Sequence, residues 1–161
     1  MTTSKGDIVL ELNRDEAPIS TDNFLSYVDA GAYDGTIFHR VIDGFMIQGG
    51  AFTTDMDQRQ GNKTIKNEWT NNLNNKRGAV AMARIGGDPD SASNQFFINV
   101  NDNAFLDQKQ PDGAAYAVFG EVIEGMDVVD QIKKVKTTTR AGHGDVPVEP
   151  IVIEKVVRDN P

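Results

Sequence analysis

The stretch TIFHRVIDGFMIQGG, Thr36 to Gly50, sets His39, Arg40 and Gln48 among β-branched and aromatic residues. A guanidinium cannot shed its charge, so Arg40 needs solvent, a carboxylate or a substrate acceptor within reach. On an extended FHRV strand, Phe38 and Arg40 point to one face, and His39 and Val41 to the other. Just beyond, Phe45, Met46 and Gln48 bring an aromatic ring, a thioether and an amide. That mixture suits a shallow apolar pocket with a few polar anchors, although Phe45 and Met46 taken singly also suit an ordinary core. His39 reads as a hydrogen-bonded structural histidine, with a catalytic base as the alternative.

Other chemistries find little support. The chain has no cysteine, so it offers no disulfide, thiol nucleophile or zinc–cysteine site, and its two histidines, His39 and His143, are far apart in sequence. A calcium loop over Asp55–Lys66 would need glycine at Gln60 and a bidentate glutamate at Lys66. Gly49–Gly50 lacks a following lysine and helix, which favours a strand bend or bulge over phosphate binding. No metal or cofactor is expected. A net charge of -8 argues against nucleic acid or an anionic membrane as partner. The start, MTTSKGDIVLEL, has neither the basic nor the apolar region of a secretory leader, and no run is long enough to span a bilayer. The cytoplasm is the expected compartment, or the periplasm if an exported form had lost its leader.

The elements that must position these residues are mostly strands. GDIVLEL alternates Ile8, Leu10 and Leu12 with Val9 and Glu11, and TIFHRVI, FMIQGG, GAVAMAR, NQFFINV, YAVFGEVI and PIVIEKVVR are short, β-branched or aromatic, and punctuated by Gly and Asn. The spacing of Phe24, Leu25 and Val28 predicts a helix from about Pro18 to Ala30, and that of Met126, Val129 and Ile132 a second between Gly125 and Lys134. Both termini read as frayed. The two longest irregular stretches, residues 53–75 and 101–115, read as functional or mobile loops. The 161 residues suit one domain spanning 1–161, and many sequential strands with two helices predict a mainly β, closed or nearly closed antiparallel barrel.

Four blocks, FHRVIDGFMIQGGAFT, GAVAMAR, SASNQFFINVNDNAFLD and YAVFGEVIEGMDVV, together resemble the cyclophilin family of peptidyl-prolyl cis-trans isomerases, in the bacterial single-domain form. The match runs in order from about Gly6 to Val157. It implies an eight-stranded antiparallel β-barrel capped by two α-helices and an enzyme that speeds rotation about Xaa-Pro bonds, assisting protein folding. By position it implies Arg40 as the catalytic arginine and Phe45, Met46, Phe97 and Leu106 as the proline pocket. Gln48 matches the glutamine that holds the substrate backbone, Gln95 a second groove glutamine, and Ala83 and Arg84 the strand-end pair whose backbone meets the peptide. Phe105 stands where a tryptophan is typical, and Tyr116 where a histidine is typical. Phenylalanine cannot offer the indole hydrogen bond, so cyclosporin binding is expected to be weak with isomerase activity kept. The implied partners are proline-containing peptides and unfolded or folding proteins, met by a monomer. A cyclophilin-like binding module without turnover and a ligand-storing lipocalin-type barrel are the competing readings.

Overall fold

The computed structural model describes residues 1–159; the last two residues of the expected 1–161 domain lie outside the described residues. Its strands are β1 Thr2–Thr3, β2 Gly6–Asp7, β3 Val9–Leu12, β4 Thr36–Ile42, β5 Met46–Thr53, β6 Ala79–Met82, β7 Phe96–Asn99, β8 Val118–Glu124, β9 Thr137–Arg140, β10 His143–Pro147 and β11 Val152–Lys155. The helices are α1 Pro18–Asp29 and α2 Met126–Lys133, with a 3-10 turn at Ala104–Asp107. Nine strands form one sheet in the order β2-β1-β11-β4-β5-β7-β6-β8-β3, while β9 and β10 form a separate hairpin. The sheet is antiparallel throughout and curls into a nearly closed barrel.

The barrel interior follows the period-two alternation. Ile47 on β5, Val80 and Met82 on β6, Phe96 and Ile98 on β7, and Phe119 on β8 all point into the main core. Helix α1 closes one side by inserting Phe24, whose ring centroid lies 5.1 Å from Tyr33, 5.4 Å from Phe96 and 5.3 Å from Phe119. Each such buried ring contributes roughly 1.5–3 kcal/mol, with about 0.5–1.5 kcal/mol more for favourable ring pairing. An interior filled by aromatic rings has no room for a stored ligand, which removes the lipocalin alternative.

Pro18 opens α1 as expected, but Ala17 before it supplies no side-chain cap. The Glu68 carboxylate, from the long loop, takes that role by accepting from the Ile19 and Ser20 amides at 3.2 and 2.6 Å. Before α2, Gly125 is left-handed at φ 92°, and a Cβ there would lie 2.3 Å from the Asp7 carbonyl oxygen. Only glycine fits that approach.

Several local expectations change. The sheet has nine strands where eight were expected, because the amino-terminal run breaks at Ile8 into separate pieces. The amino terminus is not frayed: Thr2 and Thr3 pair with Lys155 and Ile153 of β11, and the Met1 ammonium donates to the Ile8 carbonyl at 2.8 Å. The β9–β10 hairpin had no apolar alternation to reveal it, since β9 is solvent-exposed over most of its length. It docks through Val146, buried with Ile37, Ala51 and Phe52.

Candidate active-site groove

The register of four strands builds the site. Arg40 on β4 lies opposite Gln48 on β5, Gln48 opposite Phe97 on β7, and Phe97 opposite Ala81 on β6. Met46 and Gln48 on β5, with Phe97 on β7 and Gln95 just before it, therefore share the outer face of the barrel, while Ile47, Phe96 and Ile98 face inward. Ala79, Ala81 and Ala83 underlie that outer face, leaving a depression where β6 carries only methyl groups.

Phe38 and Arg40 do not share a face, contrary to the expectation from simple alternation. Phe38 pairs with Gly49 and Arg40 with Gln48, so two residues of β4 oppose one of β5. This bulge turns Phe38 into the core with Val41, where its ring is 6.1 Å from Phe96, and leaves Arg40 exposed above the groove. Gly49 permits the crossing, since a Cβ there would lie 2.8 Å from the Ile37 carbonyl oxygen.

Arg40, Phe45, Met46, Gln48, Ala83, Arg84, Phe97, Leu106 and Tyr116 line one cavity of about 130 Å³. That is well below the few hundred Å³ of a drug-sized pocket and suits a single small ring. Met46, Phe97 and Leu106 are buried in its wall, and Phe45 and Tyr116 are partly exposed at its mouth. Phe105, expected in the site, does not line this cavity; its ring lies 5.6 Å from that of Phe45, and the residue is 54% exposed. Broader recesses of about 570 and 700 Å³ lie near β3 and the edge of the sheet, away from this constellation.

The polar groups form a graded line. The Gln95 side-chain oxygen accepts from Gln48 Nε2 at 2.9 Å, and the Gln48 Oε1 faces Arg40 Nη1 at a long 3.5 Å. Arg40 Cζ lies 5.9 Å from the Phe45 ring centroid. Among the described residues no carboxylate pairs with Arg40, so its donors are largely uncommitted. Arg84 differs sharply. Its side chain is 2% exposed and its Nη1 lies 2.6 Å from Asp112 Oδ2, so only its backbone is left to meet a ligand. The Ala83 amide is already committed to the Gln95 carbonyl at 3.1 Å.

His39 points away from the groove, buried against Phe52 at 4.5 Å and 6.4 Å from His143 between ring centroids. Its Nδ1 is buried with no hydrogen-bond partner among the described residues, so the hydrogen bond expected of a structural histidine is not made at that atom. Burial, followed by the charges of His143 and Arg40, pushes its pKa down to about 4.

Behind the pocket lies a buried network of three asparagines, one at the end of β7 and two in the long loops. Asn103 Nδ2 donates to the Phe45 carbonyl and to Asn99 Oδ1, both at 2.8 Å; Asn99 Nδ2 donates to Asn75 Oδ1 at 3.0 Å, and Asn75 Nδ2 to the Tyr116 carbonyl at 3.1 Å. These three side chains thus hold the backbone of two pocket residues. The only signal for them in the sequence is asparagine in or beside apolar runs, as in FFINV, and it does not separate a buried amide from a turn.

Comparison with known proteins supplies independent evidence. The family model described as cyclophilin type peptidyl-prolyl cis-trans isomerase/CLD matches residues 1–158. A peptidyl-prolyl cis-trans isomerase of Streptomyces antibioticus is 61% identical over 156 residues, covering 96% of this chain and 93% of the relative. Peptidyl-prolyl cis-trans isomerase B of Escherichia coli strain K12 is 52% identical over 156 residues, covering 96% and 94%. A crystal structure of a Cryptosporidium parvum cyclophilin type isomerase, in the presence of the dipeptide Ala-Pro, superposes with a TM-score of 0.80 at 26% identity, covering 99% of this chain and 98% of that one.

Proposed function

This chain belongs to the cyclophilin-type peptidyl-prolyl cis-trans isomerase family, and from that premise we propose that the groove of Arg40, Phe45, Met46, Gln48, Phe97, Leu106 and Tyr116 is where it acts on Xaa-Pro bonds. The family's reaction is isomerisation, and its ligands are proline-containing peptides. The observation that carries the assignment is the small apolar cavity of about 130 Å³ with an uncommitted guanidinium at its rim.

An Xaa-Pro bond rotates over a barrier of roughly 18–20 kcal/mol because rotation breaks amide resonance. Midway, the prolyl nitrogen regains its lone pair, so a donor aimed there stabilises the twisted state more than the planar one. In the proposed mechanism the proline ring enters among Phe97, Met46 and Leu106, the Gln48–Gln95 pair and the Arg84 backbone hold the flanking chain, and Arg40 donates to the nitrogen as the other side rotates. Gln48 is neutral and its contact with Arg40 is long, so little of the guanidinium's donor strength is spent in the free enzyme. No proton, nucleophile or metal enters the step.

The work is proposed for one domain formed by this chain, acting as a monomer on unfolded or folding proteins rather than on nucleic acid or membranes. No described helix is long and apolar enough to cross a membrane. The cytoplasm is the proposed compartment, with the periplasm as the alternative, and cell fractionation distinguishes them. The pocket is tested by NMR exchange on a short Xaa-Pro peptide: the wild type should accelerate exchange and Phe97→Ala should raise KM about tenfold or more. Unchanged KM in a folded Phe97→Ala protein would reject the pocket.

A further inference from the structure

We propose that Asp112 is a positioning residue for this groove: its carboxylate fixes Arg84, through Arg84 the Tyr116 wall, and keeps the Arg84 charge off the substrate. The inference rests on the reading of the groove given above. Asp112 sits in the loop before β8 and lines no part of the cavity, yet it gathers the segments that flank one side of it. It accepts from Arg84 Nη1 at 2.6 Å and Nη2 at 3.2 Å, from the Gly87 amide at 3.0 Å and from the Ala114 amide at 3.2 Å. One side chain therefore ties the end of β6, the loop that follows it and the loop that carries Tyr116.

The tie reaches the ligand surface through the guanidinium. Arg84 Cζ lies 4.6 Å from the Tyr116 ring centroid, and that ring meets Phe97 edge-on at 6.0 Å. Arg84 Nη2 also donates to the Ala114 carbonyl at 3.0 Å. The pair is enclosed, with side chains 2% and 7% exposed. Enclosed ion pairs of this kind are poor sources of net stability, since apolar residues of like volume often do as well. Arg84 Nε even remains without a partner. Geometry is what the pair provides: it sets the ring that closes the cavity and neutralises a cation that borders it.

Replacing Asp112 by asparagine keeps the shape and removes the counter-charge. The guanidinium then borders the cavity with its charge no longer neutralised. Two peptides differing only in Glu or Lys beside the Xaa-Pro pair read this out. In Asp112→Asn the ratio of kcat/KM for Glu over Lys should rise about fivefold, and KM for a neutral peptide about tenfold with kcat nearly kept. A merely destabilising change would not move the Glu/Lys ratio, so an unchanged ratio in the folded variant overturns the proposal. If Asp112→Asn does not fold, the double variant Arg84→Met with Asp112→Leu removes both charges at similar volume. Raised KM without a change in Glu/Lys ratio is then expected, and wild-type KM overturns the proposal. Phe97→Ala run alongside separates the two ideas, because wild-type KM there rejects the groove itself.

Discussion

Replacing Arg40 by alanine removes a guanidinium that the folded protein hardly uses. The residue is exposed, its contact with Gln48 is 3.5 Å long, and its Cζ lies 5.9 Å from the Phe45 centroid. Unfolding free energy should therefore stay within about 0.5 kcal/mol of the wild type. The transition-state loss is larger. A preorganised donor aimed at charge that develops during reaction is worth about 2.7–4 kcal/mol, or 10²–10³ in kcat. At a solvent-open rim the field of the proposed donor is weakened, so the lower end is expected: about a hundredfold in kcat with KM little changed. Arg40→Lys keeps a charge but loses the planar fork and should recover only part of that loss. NMR exchange on an Xaa-Pro peptide across a range of concentrations separates kcat from KM, and urea unfolding checks the fold. A folded Arg40→Ala protein with kcat within about threefold of the wild type would refute the assignment.

Phe105 offers an exposed ring without a donor, so the wild type should bind cyclosporin weakly; Phe105→Trp should tighten binding about tenfold by calorimetry while isomerase activity is kept. Wild-type affinity already equal to that of a tryptophan-bearing cyclophilin would contradict this. Asn99 is fully buried and links Asn75, Asn103 and the Ala79 carbonyl, so Asn99→Ala should cost about 2–3 kcal/mol in urea denaturation by stranding those partners; a loss under about 0.5 kcal/mol would mean the network is not structural. The folded-state pKa of His39, about 4, lies below its ordinary 6.5, so the folded protein prefers the neutral ring. Its contribution is complete above about pH 6.5, falls as pH drops through that window and is lost near pH 4, a change on the order of 3 kcal/mol. Stability curves against pH should show this slope in the wild type and lack it in His39→Phe; identical slopes would place the titration elsewhere. Asp112 acts lower, since its bonds to Arg84 hold its carboxyl at about 2. Its contribution is present above the ordinary carboxylate range and disappears as pH falls toward 2.

What the sequence determined by itself was local chemistry and period. The alternation of Met46, Ile47 and Gln48 decides which side chains can share a face, and the spacing of Phe24 and Val28 with Pro18 decides where a helix can run, because both depend only on backbone geometry a few residues long. The motif blocks carry the groove residues in close groups along the chain, so their resemblance to one family is legible without the fold. Tertiary structure decided whatever required a distant partner. The bulge that parts Phe38 from Arg40 exists only in register with β5, and Glu68 becomes a helix cap only when the long loop reaches α1. Asn75 and Asn103 look like loop residues until Tyr116 and Phe45 bring carbonyls to them across the fold, and Asp112 looks like a solvated loop carboxylate until Arg84 encloses it. The reason is the same in each case: a buried polar group is specified by the partner that compensates its lost water, and that partner is chosen in space, not along the chain.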